Sequence, residues 1–262
     1  MRLYYEIAVR SFRRATTYRA AYIAGMLTNA FFAAIRCWVY IALYGDGGSV
    51  AGFSLEDAIT YTWIMQALIS IGAGWISGEI AATIRSGDIV TDLSRPWNFY
   101  GYWLSRLTGE RAFNLLFRGS LTYVIGIVTF GARIPRLHDL ALFLVAVVLA
   151  LLVIVAYNFI VNLASFWLLD NTGVAIIANV LMAFFSGFII PLDFFPPLLQ
   201  ALARALPFQA MSGLPGQIFI GHFDGPAAIA AIMVQAFWAV ALTASALLVL
   251  QAAMRKVVVQ GG

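Results

Sequence analysis

The side chains that could do covalent, metal or acid–base chemistry are few and scattered. The 262-residue chain holds two histidines, one cysteine and one lysine. Cys37 lies inside an apolar run, so neither a disulfide framework nor a thiol cluster is available. His138 and His222 stand alone near the outer ends of apolar runs, which reads as interfacial placement and not as a ligand pair. No H-E-x-x-H or G-x-S-x-G occurs. The phosphate-binding G-x-x-x-x-G-K-[ST] is also missing, the one lysine being Lys256 near the end. We therefore expect no catalytic residue, no metal and no cofactor in this chain. If ATP drives it, another polypeptide must bind the nucleotide.

What remains is a set of polar side chains inside apolar runs, where burial in hydrocarbon is costly and often functional. Asn29, Arg36, Gln66, Asn158, Asn162 and Asn179 are the candidates for a conduit, and Ser70 and Gln235 share the setting. Arg36 stands about eight residues, or roughly 12 Å, below the outer end of its run. Three readings stay open for it: an arginine held by packing and interspan hydrogen bonds, a conduit residue, or one that snorkels to the interface. No carboxylate lies in the middle of a run, which weighs against a proton relay. Ser70, Gly74 and Gly78, four residues apart, make a small-residue face for close helix contact.

These side chains need elements to hold them, and composition says which. Hydrophobic residues make up 62% and charged ones 11%, with a mean hydropathy of +0.89. A soluble domain carries about 25% charged residues, so a soluble fold is excluded. Apolar runs fall at 20–44, 58–77, 115–131, 140–169, 174–190 and 227–254. Without the alternation of a membrane barrel they predict an all-α fold of six spans in one domain. Arg2, Arg10, Arg13, Arg14 and Arg19 precede the first run; Arg85, Arg95, Arg106, Arg111 and Arg118 surround the second connection; Arg255 and Lys256 follow the last. Only Arg133, Arg136 and Arg204 lie opposite, so the positive-inside rule puts both termini in the cytoplasm. The net charge of +4 thus reads as topology, with no nucleic-acid partner.

At the start, Arg2, Glu6, Arg10 and Arg13 share one helical stripe and Tyr4, Ala8, Phe12 and Ala15 the other. That predicts a basic amphipathic helix over 1–19 on the membrane surface, against the alternative of a solvated leader. The link Asp170 to Gly173 is so short that its flanking spans must form a hairpin, with Asn171 or Thr172 as the cap. On the cytosolic side, EIAATIR and DIVTDL read as two helices around Ser86 and Gly87. Gly87 supplies a left-handed residue, Asp88 a cap, and Pro96 suits the first turn of a third helix near Trp97. Ile89 and Leu93 form one apolar pair, expected to be exposed. On the outer side, 191–226 holds six of the eight prolines among apolar patches, which predicts a re-entrant or interfacial helical hairpin.

This layout resembles the type 2 permeases of ATP-binding-cassette exporters over essentially the whole chain. The segment IRSGDIVTDLSRPWNFYGYWLSR is similar to the I-x-x-G-[DE]-[IL]…L-x-R-P stretch of one branch of that family, and DFFPPLLQALARALPFQAMSGLPGQIFIG to its F-P…P-F…P…G region. The resemblance implies a coupling helix that docks on an ATPase subunit, with Arg85, Gly87, Asp88, Ile89, Leu93, Arg95 and Pro96 at the matching positions. A helix that merely floats on the bilayer is the alternative. The resemblance also implies two ATPase copies carrying ATP and Mg, a second permease that is identical or related, contact with membrane lipid, and alternating access in a bacterial plasma membrane. A membrane scaffold or assembly protein and a secondary transporter are the rival functions.

Overall fold

The amphipathic stripe of the first residues finds a protein partner. The computed structural model describes residues 2–17, 19–45, 48–72, 76–168, 170–223 and 225–255, so Gly74 and Lys256 lie outside the described residues. Within them the chain is helical, with an isolated bridge between Val50 and Phe53. Helix α1 (Arg2–Ala15) keeps Arg2, Glu6, Arg10 and Arg13 in solvent. Its other face lies along a later helix, Phe99–Asn114, named α6 below. Phe12 meets Phe113 edge to face at 5.3 Å, and Tyr4 Oη accepts the Asn98 N–H at 2.9 Å. A Cβ on Gly109 would fall 2.1 Å from the Ala8 carbonyl oxygen, so only glycine permits this approach. The stripe is the one expected, but it rests on a helix.

The chain then turns into α2 (Arg19–Tyr44) and reaches α3 (Leu55–Leu68). A reciprocal cap starts α3: Ser54 Oγ accepts the Asp57 N–H, and the Asp57 carboxylate accepts the Ser54 N–H, each at 3.1 Å. Every side chain from Ala58 to Leu68 is buried, as suits a helix apolar all round. It packs against α2, α7 (Ser120–Phe130) and α11 (Gly213–Phe219). A 3-10 turn, Ile69–Ile71, ends it at Gly72. Two short helices follow, α4 (Glu79–Ser86) and α5 (Ile89–Ser94), and then α6.

Here the architecture departs from the expected spans. Helix α6 continues through a π turn, Leu115–Gly119, into α7, giving one 32-residue helix over 99–130 in place of a span at 115–131. The sequence holds no proline between the Asn98 cap and Gly131, so nothing breaks the ladder. Three arginines read as loop charges are housed along it instead. Arg106 pairs with Glu79 at 2.8 Å, Arg111 is buried against the turn at Gly72, and Arg118 lies beside Gly25.

Beyond it come α8 (Leu137–Leu163), α9 (Thr172–Phe185), α10 (Pro197–Ala205), α11 and α12 (Gly225–Met254). Among the described residues four helices are long and apolar enough to cross a membrane, at 22–44, 99–130, 137–166 and 225–254. The expected spans at 58–77 and 174–190 correspond to the shorter α3 and α9. Helix α9 stops before Gly187, whose φ of +78° suits glycine and whose carbonyl accepts the Tyr61 hydroxyl at 2.8 Å. The short link sends α9 back along α8, where the Tyr157 hydroxyl donates to the Ala178 carbonyl at 3.2 Å. Among the described residues two large apolar clusters hold the bundle, with two small ones beside them around Tyr40 and Leu192. The largest joins α3, α8 and α11, and the second gathers Ile80, Ile89, Phe99, Trp103, Phe159 and Leu250 from five helices.

Candidate functional site

The α4–α5 pair packs against the bundle through Ile80, Ala81 and Ile89, and its geometry follows from Gly87. That residue has φ +82°, a conformation that costs an L side chain about 1–2 kcal/mol. Its N–H donates to the Ile84 carbonyl at 3.3 Å, closing α4 and turning the chain into α5. Asp88 occupies the cap position without capping; it accepts the Ser86 hydroxyl at 2.7 Å instead. Asn98 caps α6 by accepting the Gly101 N–H at 2.8 Å, so that helix starts at Phe99, just after the expected Trp97.

The apolar pair of α5 faces inward. Ile89 is 3% exposed and Leu93 half-buried, both against the cluster that includes Phe99 and Trp103, whereas exposure was expected. The reason is energetic, since an isoleucine side chain taken out of water contributes roughly 2 kcal/mol and α6 offers an aromatic wall. The outward rim includes Arg85, Gly87, Asp88, Val90, Arg95 and Pro96. Arg95 lies over the Trp97 ring at 4.9 Å. Arg85 reaches Asp170 at 3.5 Å, an exposed pair worth little by itself. Asn171 holds the cap position of α9, as one of the two expected, but makes no side-chain bond there; the acceptor that caps this end is Asp170 just before it, which takes both the hydroxyl and the N–H of Thr172, and these bonds, with Arg85 behind them, hold its carboxyl below the usual range. The capped form is therefore complete at neutral pH and is lost as pH falls through that lowered value.

The strand of backbone leading into α4 is gripped by asparagines from two other helices. On α8, Asn162 accepts the Ala81 N–H at 2.9 Å and donates to the Ser77 carbonyl at 2.8 Å. The same amide donates to the Asn158 carbonyl at 2.8 Å, one turn earlier. On α9, Asn179 accepts the Ile76 N–H at 2.8 Å. Orphan N–H groups at a helix start need acceptors, and here a neighbouring helix provides one. Together with Glu79–Arg106, this clasp ties α4 to α6, α8 and α9.

The other conduit candidates lie elsewhere. Asn29 is buried on α2; with its amide oxygen turned toward Arg118 it accepts from Nη2 at 3.1 Å and donates to the Gly25 carbonyl at 3.2 Å. Arg36 donates to the Phe188 carbonyl at 3.3 Å and sits 5.4 Å from that ring, the interspan hold that was one of its three readings. Gln66 is buried on α3. Of the small-residue face, Ser70 meets Gly119 closely and Gly78 precedes α4. Three of the six candidates thus gather around residues 76–81, Asn29 lies with its amide 3.4 Å from the Gln66 carbonyl, and Arg36 stands apart from both groups.

Sequence reasoning read Arg106 and Arg111 only as charges of a connection and gave Glu79 no role. The signal for them was the unbroken helical stretch after Asn98, which brings residues 106 and 111 into the bundle. At the other end, 191–223 forms two short helices among 3-10 turns, α10 amphipathic with Leu198 exposed and α11 wholly buried. A cavity of about 540 Å³ opens between this segment and α12, with Asp193 paired to Arg204 at 3.0 Å and accepting Gln217 at 2.5 Å. Among the described residues no group of three or more His, Cys, Asp or Glu could hold a metal.

Four long apolar helices, large apolar side chains exposed along α2, α9 and α12, and a polar clasp at one end define a membrane-embedded helical protein. The family model described as ABC-2 family transporter protein matches residues 30–261, and the chain belongs to that family. Permeases of this kind are in general non-catalytic membrane subunits that work with a separate ATP-binding subunit. No curated protein and no solved structure matches the chain.

Proposed function

We propose that this chain is the permease subunit of an ATP-binding-cassette exporter in a bacterial plasma membrane, with both termini in the cytoplasm. Six spans, α2, α3, α6–α7, α8, α9 and α12, form half of an alternating-access pathway. Its partners are two copies of an ATPase, which carries the ATP and Mg, and a second permease, identical or related. The α4–α5 pair is the coupling element, and the outer segment 191–226 a re-entrant hairpin.

The clasp is the observation that carries this reading. A helix pair that only floated on a bilayer would need no side-chain grip on its leading backbone. Here Asn162 and Asn179 fix that backbone to α8 and α9, and Ile89 and Leu93 seat α5 on α6. A push on the rim at Arg85, Gly87, Asp88, Val90, Arg95 and Pro96 therefore reaches three spans at once. In this reading Asn158, Asn162 and Asn179 position the coupling element, while Asn29, Arg36 and Gln66 stay candidates for the pathway wall.

The test is co-purification from native membranes. Wild type should bring an ATPase with it, and Val90→Asp or Arg95→Glu, which alter the rim without touching the apolar seat, should lose it while keeping their folded yield. Wild type arriving without an ATPase under gentle extraction would sink the exporter reading and favour a scaffold.

A further inference from the structure

We propose that the groove between α2 and the continuous α6–α7 helix binds an acidic phospholipid of the leaflet on the α1 side. The groove has a volume of about 480 Å³, and its wall is almost wholly apolar, with Ile23 and Met26 on one side and Phe113, Phe117 and Leu121 on the other. One charged side chain lines it, Arg118. Its guanidinium sits in a notch that Gly25 leaves open, since a Cβ there would fall 2.8 Å from Arg118 Cζ. Nη2 donates to the Gly25 carbonyl at 3.3 Å and to the Asn29 amide oxygen at 3.1 Å, both neutral acceptors, while Nε is buried with no hydrogen-bond partner. Among the described residues no carboxylate pairs with Arg118.

A cation held in an apolar groove without a counter-anion is costly, and a phosphate oxygen is the acceptor that a guanidinium fork fits best. The occupant must also be apolar along most of its length, to cover Ile23, Phe117 and Leu121, which are exposed. Those two demands describe a phospholipid with its phosphate at Arg118 and an acyl chain along α2. Arg118 itself selects the net charge of the headgroup. Thr16, which lines the groove, follows the last turn of α1, whose Arg14 lines a neighbouring pocket with Arg106, Glu79 and Glu110. A zwitterionic headgroup would bring its ammonium toward the unpaired Arg118, whereas an acidic one brings only opposite charge to it. The export reading is not needed for this site; only its assignment to the inner leaflet rests on the orientation proposed above.

Native mass spectrometry of the full chain, titrated with phosphatidylglycerol and with phosphatidylcholine, tests the proposal. Wild type is expected to bind phosphatidylglycerol at least tenfold more tightly, and Arg118→Gln to bring the two lipids level. Should Arg118→Gln fail to fold, Ile23→Trp fills the groove while leaving the arginine in place, and it too should remove the preference. Equal binding of both lipids to wild type, or a preference that survives the substitutions that fold, overturns it.

Discussion

Single side chains in this protein work mainly by bonding to main chain. Asn162 bonds the Ala81 N–H and the Ser77 carbonyl, Asn179 the Ile76 N–H, Gln235 the carbonyls of Ala146 and Ala210, and Tyr61 the Gly187 carbonyl. Removing one partner strands a buried group, at about 1–3 kcal/mol. Asn162→Ala is accordingly expected to lose about 2 kcal/mol, read as a melting temperature lower by roughly 5 °C for a chain of this size. Its effect on coupling should exceed its effect on folding: ATP hydrolysis by the assembled complex continues while transport per ATP falls. Gly87 makes a second prediction at this scale. Gly87→Asn, which tolerates a left-handed backbone, should keep partner binding, whereas Gly87→Val should not. A pull-down of the ATPase with each variant separates them.

Elements decided what could be read from the sequence and what could not. The α4–α5 pair was legible because its punctuation is local: Gly87 has one conformational role, and Asn98 and Pro96 bracket the next start. The stripe of α1 was legible for the same reason, as periodicity needs no partner. Its partner was not, because the decisive contact is Gly109 on the Ala8 carbonyl, a steric relation between residues a hundred positions apart. Arg111 and Arg118 hid the length of the 99–130 helix, since a charge reads as the end of a span until the notch that receives it is known. The inward turn of Ile89 and Leu93 likewise required Phe99 and Trp103 to be in place. Gly109→Val is expected to lift α1 from its seat with the spans left intact. Faster hydrogen exchange confined to residues 2–15 would show it; unchanged exchange would mean that the close approach at Ala8 does not hold the helix.

For the whole molecule, the exposed apolar faces of α2 and α9 set the next question. Phe31, Ile35 and Trp38 on α2, and Ile177, Val180 and Phe184 on α9, face outward from the single chain. Lipid covers them in one assembly and a second permease in another. Topology can be tested first, because Cys37 is fully buried and is the only cysteine. In a Cys37→Ala background, a cysteine at Val90 should react with an impermeant maleimide only in inside-out vesicles, and one at Leu137 only in intact cells. Labelling of both from the same side would overturn the orientation proposed here. A cysteine at Ile177 that forms a disulfide-linked dimer on oxidation would assign the α9 face to a second copy.

The asparagine clasp has a further consequence, for divergence. Its three anchor points on 76–81 are all peptide groups: the Ile76 N–H, the Ser77 carbonyl and the Ala81 N–H. A grip on peptide groups is blind to the side chains of the segment it holds. If the α4–α5 pair couples to an ATPase as proposed, side chains of 76–81 and of the outward rim beyond it can drift to suit whichever ATPase a lineage carries, while the grip of α8 and α9 on the peptide groups is inherited unchanged.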